Sequence, residues 1–177
     1  KLASVIYIET MRGVPFITVL FMTNTMLPLF MPQEWTPDRL LRPLVGTVLF
    51  AAAYLAEEVR GGLQILPKSQ FEGAMALGFP YGEMMALVIL PQALTLVIPG
   101  IVNNFIGLFK DTTLISIVGT LDFLETVQDA FKDPVWSGPT IADTGYAFAA
   151  MFYFIFCFGM SRYSQAMERR LAAGRRL

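Results

Sequence analysis

Histidine is absent from this 177-residue chain, and cysteine occurs once, at Cys157. A single cysteine excludes an intrachain disulfide and a cysteine-based metal site. Without histidine, the commonest general base and metal ligand is missing too. Charge is scarce: Asp, Glu, Lys and Arg make up 15% of the chain, against about a quarter of an ordinary soluble domain. The phosphate-loop pattern GxxxxGK[ST] does not occur, so ATP hydrolysis is not expected of this chain itself. No signal peptide is visible. The opening KLASVIYIETMRG reads as internal sequence, so one or more upstream segments are expected.

What is abundant is apolar. Hydrophobic residues are 55% of the chain, with 15 Phe and 10 Met, and the mean hydropathy is +0.56. Four uncharged runs stand out, at 13–33, 43–56, 84–109 and 144–161; the second extends to Leu40 and Val59. A membrane helix needs roughly 17–25 mostly apolar residues. The first, third and fourth runs meet that, and the second is marginal. Its Glu57, Glu58 and Arg60 must sit at the interface or face protein, because a charge at the bilayer centre costs about 2.5–3.5 kcal/mol. A soluble bundle would show polar faces at helical spacing, and 84–109 has none that is continuous. The expected fold is therefore an all-α integral membrane protein with four transmembrane helices in one domain over 1–177.

Lys and Arg placement sets the orientation. With four spans, the start, the 57–83 loop and the C-terminus share one side. That side holds Lys1, Arg12, Arg60, Lys68, Arg162, Arg169, Arg170, Arg175 and Arg176, most of the 13 basic residues. Both ends and the 57–83 loop are thus predicted cytoplasmic, with 34–42 and 110–143 outside. The basic tail RRLAAGRR reads as a lipid-facing anchor. Trp35 and Trp136 fall at the outer boundaries, as interfacial Trp should.

The cytoplasmic loop holds a short helix signature. Ser69 and Glu72 have capping-box spacing, and Gly78 followed by Pro80 supplies a stop. The spacing predicts about two turns near 70–77, with Phe71, Ala74 and Met75 on an apolar face. So short a helix is marginal alone, so its flanking spans or a partner must hold it. From spacing alone it is equally an ordinary interfacial helix. An intramembrane enzyme would need a nucleophile with a base, or paired acids, inside a span. No Asp or Glu lies within the first, third or fourth run, and all six serines lie outside span centres. A secondary transporter or channel not powered by ATP, the alternative reading, usually carries ionisable coupling residues in its spans.

Glu72-Gly73-Ala74, then Gly78, then Val88, then Leu90-Pro91 resembles the EAA loop of permease subunits in bacterial ABC importers. That pattern reads E-A-A, three residues, G, nine residues, I, one residue, L-P. Gly73 replaces the first Ala and Val88 replaces Ile; both keep the side chain small or β-branched. YIETMRGVP (7–15), AYLAEEVRGGLQILPKSQFEGAMALG (53–78), VILPQAL (88–94) and LFKDTTLISIVG (108–119) are similar to the polar amino-acid uptake branch, and within it to the general L-amino acid permeases.

The resemblance implies the type I importer fold in the bacterial inner membrane. It implies cytoplasmic ATPase subunits that bind the ATP, a second permease subunit, and a periplasmic amino-acid-binding protein. The lipid bilayer is the remaining partner; no cofactor or metal in this chain and no nucleic acid is implied. By that analogy the 69–91 loop is the coupling element: Phe71, Glu72, Gly73, Ala74, Gly78, Leu90 and Pro91 meet the ATPase or shape the loop, with Glu72 capping the helix and ion-pairing with the ATPase. Leu90-Pro91 is expected to bend the third span, with Pro99-Gly100 a second weak point. Thr95, Asn103, Asn104, Lys110 and Asp111 are the substrate-pathway candidates, because broken helices in transporters line cavities. Helix packing through amides explains the two Asn equally well, and an interfacial salt bridge or helix cap explains Lys110-Asp111. The outer stretch 112–143 reads as a short amphipathic helix over 114–127 and then a loop, placed to meet the binding protein.

Overall fold

The computed structural model describes residues 2–136 and 138–173. Lys1, Ser137 and 174–177, including the anchor arginines Arg175 and Arg176, lie outside the described residues. Every regular element described is helical. Helix α1, Leu2–Gly13, stops ahead of Pro15, which caps the start of α2, Phe16–Phe21. Pro15 brings no N–H and disfavours helical backbone at Val14. The chain consequently turns by 108° between Leu2–Gly13 and Phe16–Phe30. After α2 the helix tightens from a π turn, Met22–Met26, into a 3-10 turn, Leu27–Phe30.

The expected four spans are corrected by this geometry. Two helical stretches are long and apolar enough to cross a bilayer, Tyr81–Val118 and Ile141–Arg170; a third counts only if the bent pair is taken as one span. Helix α3, Leu41–Ile65, is long enough at 25 residues. However, each 18-residue stretch of it carries three charges drawn from Arg42, Glu57, Glu58 and Arg60, and charge, not length, sets it apart from those two stretches.

Beyond α3 come α4, Lys68–Ala76, and α5, Tyr81–Glu83. A π segment, Met84–Ile89, leads into α6, Leu90–Asp111, and a 3-10 turn, Thr112–Val118, closes that run. Helix α7, Phe123–Ala130, starts at Asp122, whose carboxylate accepts the Glu125 N–H at 2.8 Å. The single helix expected over 114–127 is thus two pieces, because Gly119 at φ 76° reverses the backbone between them. Helix α8, Ile141–Ala173, runs 33 residues.

Helix α3 is the hub: α1, α2 and α6 pack on it, and α8 packs on the far side of α6. A Cβ on Gly62 would overlap Val97 Cγ1 and come within 3.0 Å of the Ala93 carbonyl, so α3 and α6 meet backbone to backbone there. Aromatic rings make the other seam. Phe123 of α7 stacks on Phe152 of α8 at 4.1 Å, and Phe109 of α6 meets Tyr153 at 5.4 Å. Only 6% of the apolar window of α8 is buried, with Phe154, Ile155 and Phe158 facing outward. An apolar exterior of this kind suits lipid, not water.

Gly62→Leu is expected to lower stability by about 1–3 kcal/mol through overpacking. Gly61→Ala, whose Cβ meets nothing within 4 Å, should not. Thermal unfolding of both variants in detergent checks the contrast.

Candidate functional site

Helix α4 is seated by its inner face. Ala74, 4% exposed, joins Leu66 from the end of α3 and Met84, Ile89 and Ala93 from the α6 side in one buried cluster, with Phe71 and Phe79 against it. Its other face is open: Glu72, Gly73, Met75 and Ala76 are exposed, and Leu77 beyond it is 79% exposed. The short helix is therefore held by its flanking elements, and it presents small and apolar groups outward.

The start of α4 differs from expectation. Its N-cap is Pro67, with no side-chain cap bond, so Ser69 lies inside the first turn and the Ser69/Glu72 capping box is not formed. The Pro67 carbonyl instead accepts the Gln70 N–H at 3.1 Å. Glu72 is thereby released from capping and sits on the open face. The stop falls where the sequence places it. Gly78 takes φ 82°, the Gly78 N–H donates to Met75 O at 2.9 Å and the Phe79 N–H to Ala74 O at 3.2 Å. That pair of bonds is the Schellman arrangement, and its usual apolar contact is present between Phe79 and the cluster holding Ala74.

The chain then re-enters the long helix. The run Tyr81–Val118 passes Pro91 and Pro99 as one helix, so the irregularity lies ahead of Pro91, in the π segment, where the Leu90 N–H reaches back to Met85 O. Next to it the Gln92 side chain donates twice from Nε2: to Val88 O at 2.9 Å and to Gln70 Oε1 at 3.1 Å. Sequence reading missed this tie between α4 and α6, although Gln92 directly follows the Leu-Pro pair.

The pathway candidates divide between faces. Asn103, Asn104 and Asp111 line one cavity of about 210 Å3, with Phe16, Phe50 and Tyr54 opposite. Asn104 Nδ2 is buried there without a protein partner. Lys110 lines a different hollow, beside Tyr146 and Tyr153. Neighbours in a helix do not face the same way, so Lys110 and Asp111 open onto different hollows. Thr95 spends its hydroxyl on its own helix, donating to Pro91 O at 2.8 Å.

Charges on α3 were expected at an interface or against protein, and they meet protein. Glu57 accepts two bonds from Arg60, at 2.7 and 2.6 Å, and pairs with Arg12 of α1 at 3.4 Å. Glu58 turns the other way and lies against Gly100 of α6. An ionisable group thus reaches the third uncharged run from a neighbouring helix, which reading each run separately could not reveal.

Residues 1–173 match the family described as binding-protein-dependent transport system inner membrane component. The chain belongs to that family. It is 57% identical over 175 residues to the inner membrane amino-acid ABC transporter permease protein YhdY of Escherichia coli strain K12, covering 99% of this chain and 47% of that protein. It is 48% identical to the glutamate/glutamine/aspartate/asparagine transport system permease protein BztC of Rhodobacter capsulatus, covering 97% of this chain and 39% of that one. The chain therefore spans less than half the length of these two relatives. Among solved structures it is similar to one described as an amino acid ABC transporter with histidines, at TM-score 0.81 and 26% identity, covering 96% of this chain and 76% of that one. As an inner membrane component of this family, the chain carries a permease fold, and its exposed apolar helices fit that setting.

Because no atom crowds a Cβ at Gly78, Gly78→Ala acts through backbone conformation alone. The left-handed geometry costs about 1–2 kcal/mol for a residue with a side chain. Faster limited proteolysis of 67–80, with the remaining helices as protected as before, is the expected readout.

Proposed function

We propose that this chain is the membrane-embedded part of a permease subunit in an ATP-driven importer of L-amino acids. One observation carries the reading: a family member in which α4 is gripped on one side by α3 and α6 while Glu72, Gly73 and Met75 stay open on the other. That arrangement suits a coupling helix resting on a cytoplasmic ATPase. ATP closes the ATPase dimer, and a docked, rigid α4 passes the motion to α3 and α6 as a tilt. Gly78 sets the turn back toward the membrane, and Leu90-Pro91 marks where the moving helix begins.

In this reading α3 also crosses the bilayer, with its charges held against protein, and both ends of the chain and 57–83 are cytoplasmic. A second permease subunit completes the pathway, and a periplasmic binding protein meets the outer segment around 112–143. Substrate passes beside Asn103, Asn104 and Asp111, whose cavity offers amide and carboxylate groups to a zwitterion. The names of the relatives favour amino acids as cargo, with acidic ones and their amides the first to try. The carboxylate of Glu72, free of any capping duty, is left to pair with a cation on the ATPase.

The test is uptake of radiolabelled L-glutamate and L-glutamine into proteoliposomes, with the ATPase supplied or withheld. Uptake is expected only with ATPase and ATP. Glu72→Lys and Gly78→Trp should each reduce it about tenfold or more, equivalent to about 1.4 kcal/mol of lost coupling, and should weaken co-purification with the ATPase without affecting membrane insertion. Uptake independent of ATP, or normal uptake by both variants, would overturn the reading.

A further inference from the structure

The Gln92 side chain sits at the point where α6 is weakest. Pro91 brings no N–H, and the preceding π segment has already shifted the bonding register by one residue. One Gln92 Nε2 hydrogen is held by Val88 O, inside that irregular turn, and the other by Gln70 Oε1 on α4. The amide orientation follows from chemistry: a backbone carbonyl only accepts, so Gln92 must aim its NH2 at Val88, and Gln70 must then answer with its oxygen. Gln70 and Gln92 are both partly buried, where the loss of such a bond is felt more than in water. The rest of the contact between α4 and α6 is apolar packing, which has no direction of its own and tolerates sliding.

We propose that Gln70 and Gln92 are positioning residues for energy coupling: their bridge locks the register of α4 to the π turn, so that displacement of α4 moves α6 instead of slipping over it. This rests on the coupling role of α4 proposed above. A slipping α4 would still dock and still permit ATP hydrolysis, but less substrate would move per ATP.

The experiment measures labelled L-glutamate and L-glutamine uptake and phosphate release together, in proteoliposomes holding the complete permease, ATPase and binding protein. Gln70→Leu removes the acceptor yet leaves Gln92 bonded to Val88. Gln92→Met removes the donor at similar length. Gln70→Glu keeps an acceptor for Gln92. We expect Gln70→Leu and Gln92→Met to co-purify with the ATPase, to hydrolyse ATP within about twofold of the unaltered complex, and to transport at least threefold less substrate per ATP, while Gln70→Glu retains the normal ratio. A normal ratio in either assembled loss variant overturns the proposal. So does an equal loss in Gln70→Glu, which would mark a steric role, and so does failure of both loss variants to assemble, which would mark a docking role. If the unaltered complex itself shows no ATP-dependent uptake, the broader functional reading fails instead, and that result is distinct.

Discussion

The apolar contact between one methyl-sized side chain and its surroundings governs this molecule. Ala74 is buried among Leu66, Met84, Ile89 and Ala93, and this contact gives nine residues of α4 a fixed place. An isolated helix of that length does not persist in water. Full burial of a larger side chain contributes about 1.5–3 kcal/mol, and here several such groups converge from both flanking helices. The small size of Ala74 also lets the helix approach its support closely, leaving its opposite side clear.

Around that contact, the polar groups of the long helices are satisfied mostly within their own backbone. The hydroxyls of Thr23, Thr47 and Thr95 donate to carbonyls one turn back, in Thr47 and Thr95 at 2.8 Å. In lipid such bonds replace those that water would supply. They also explain why polar residues in the uncharged runs are poor guides to a pathway: Thr95 is consumed locally, whereas Asn104 keeps an amide without a protein partner inside a cavity. The groups left over are the informative ones.

Much of this was legible in the residues. The Gly78 turn was readable because one backbone conformation admits glycine far more easily than anything else, and the apolar runs marked the long helices because no other environment suits them. Family membership was legible through the spacing of Glu72, Gly78 and Leu90-Pro91. The misreadings share a cause. Ser69 fits a capping pattern, but Pro67 one step earlier already supplies the extended residue that opens a helix. The first uncharged run yields a helical piece only over Phe16–Phe30, too short to span alone, because hydropathy does not register the turn at Pro15 that bounds it. The second run was marginal from the start, because its flanking charges fall on the helix that forms. Gln70 with Gln92, and Glu58 with Gly100, are separated by 22 and 42 positions, and neither residue alone hints at its mate.

The carboxylate of Glu58 fills the volume that a side chain at position 100 would need. What stands at one of these positions bears on where the side chain at the other can lie. A larger residue at position 100 needs the Glu58 carboxylate to swing out of that space or to be shortened, so a chimaera that brings in an α6 with a side chain at position 100 displaces the Glu58 carboxylate from its present seat.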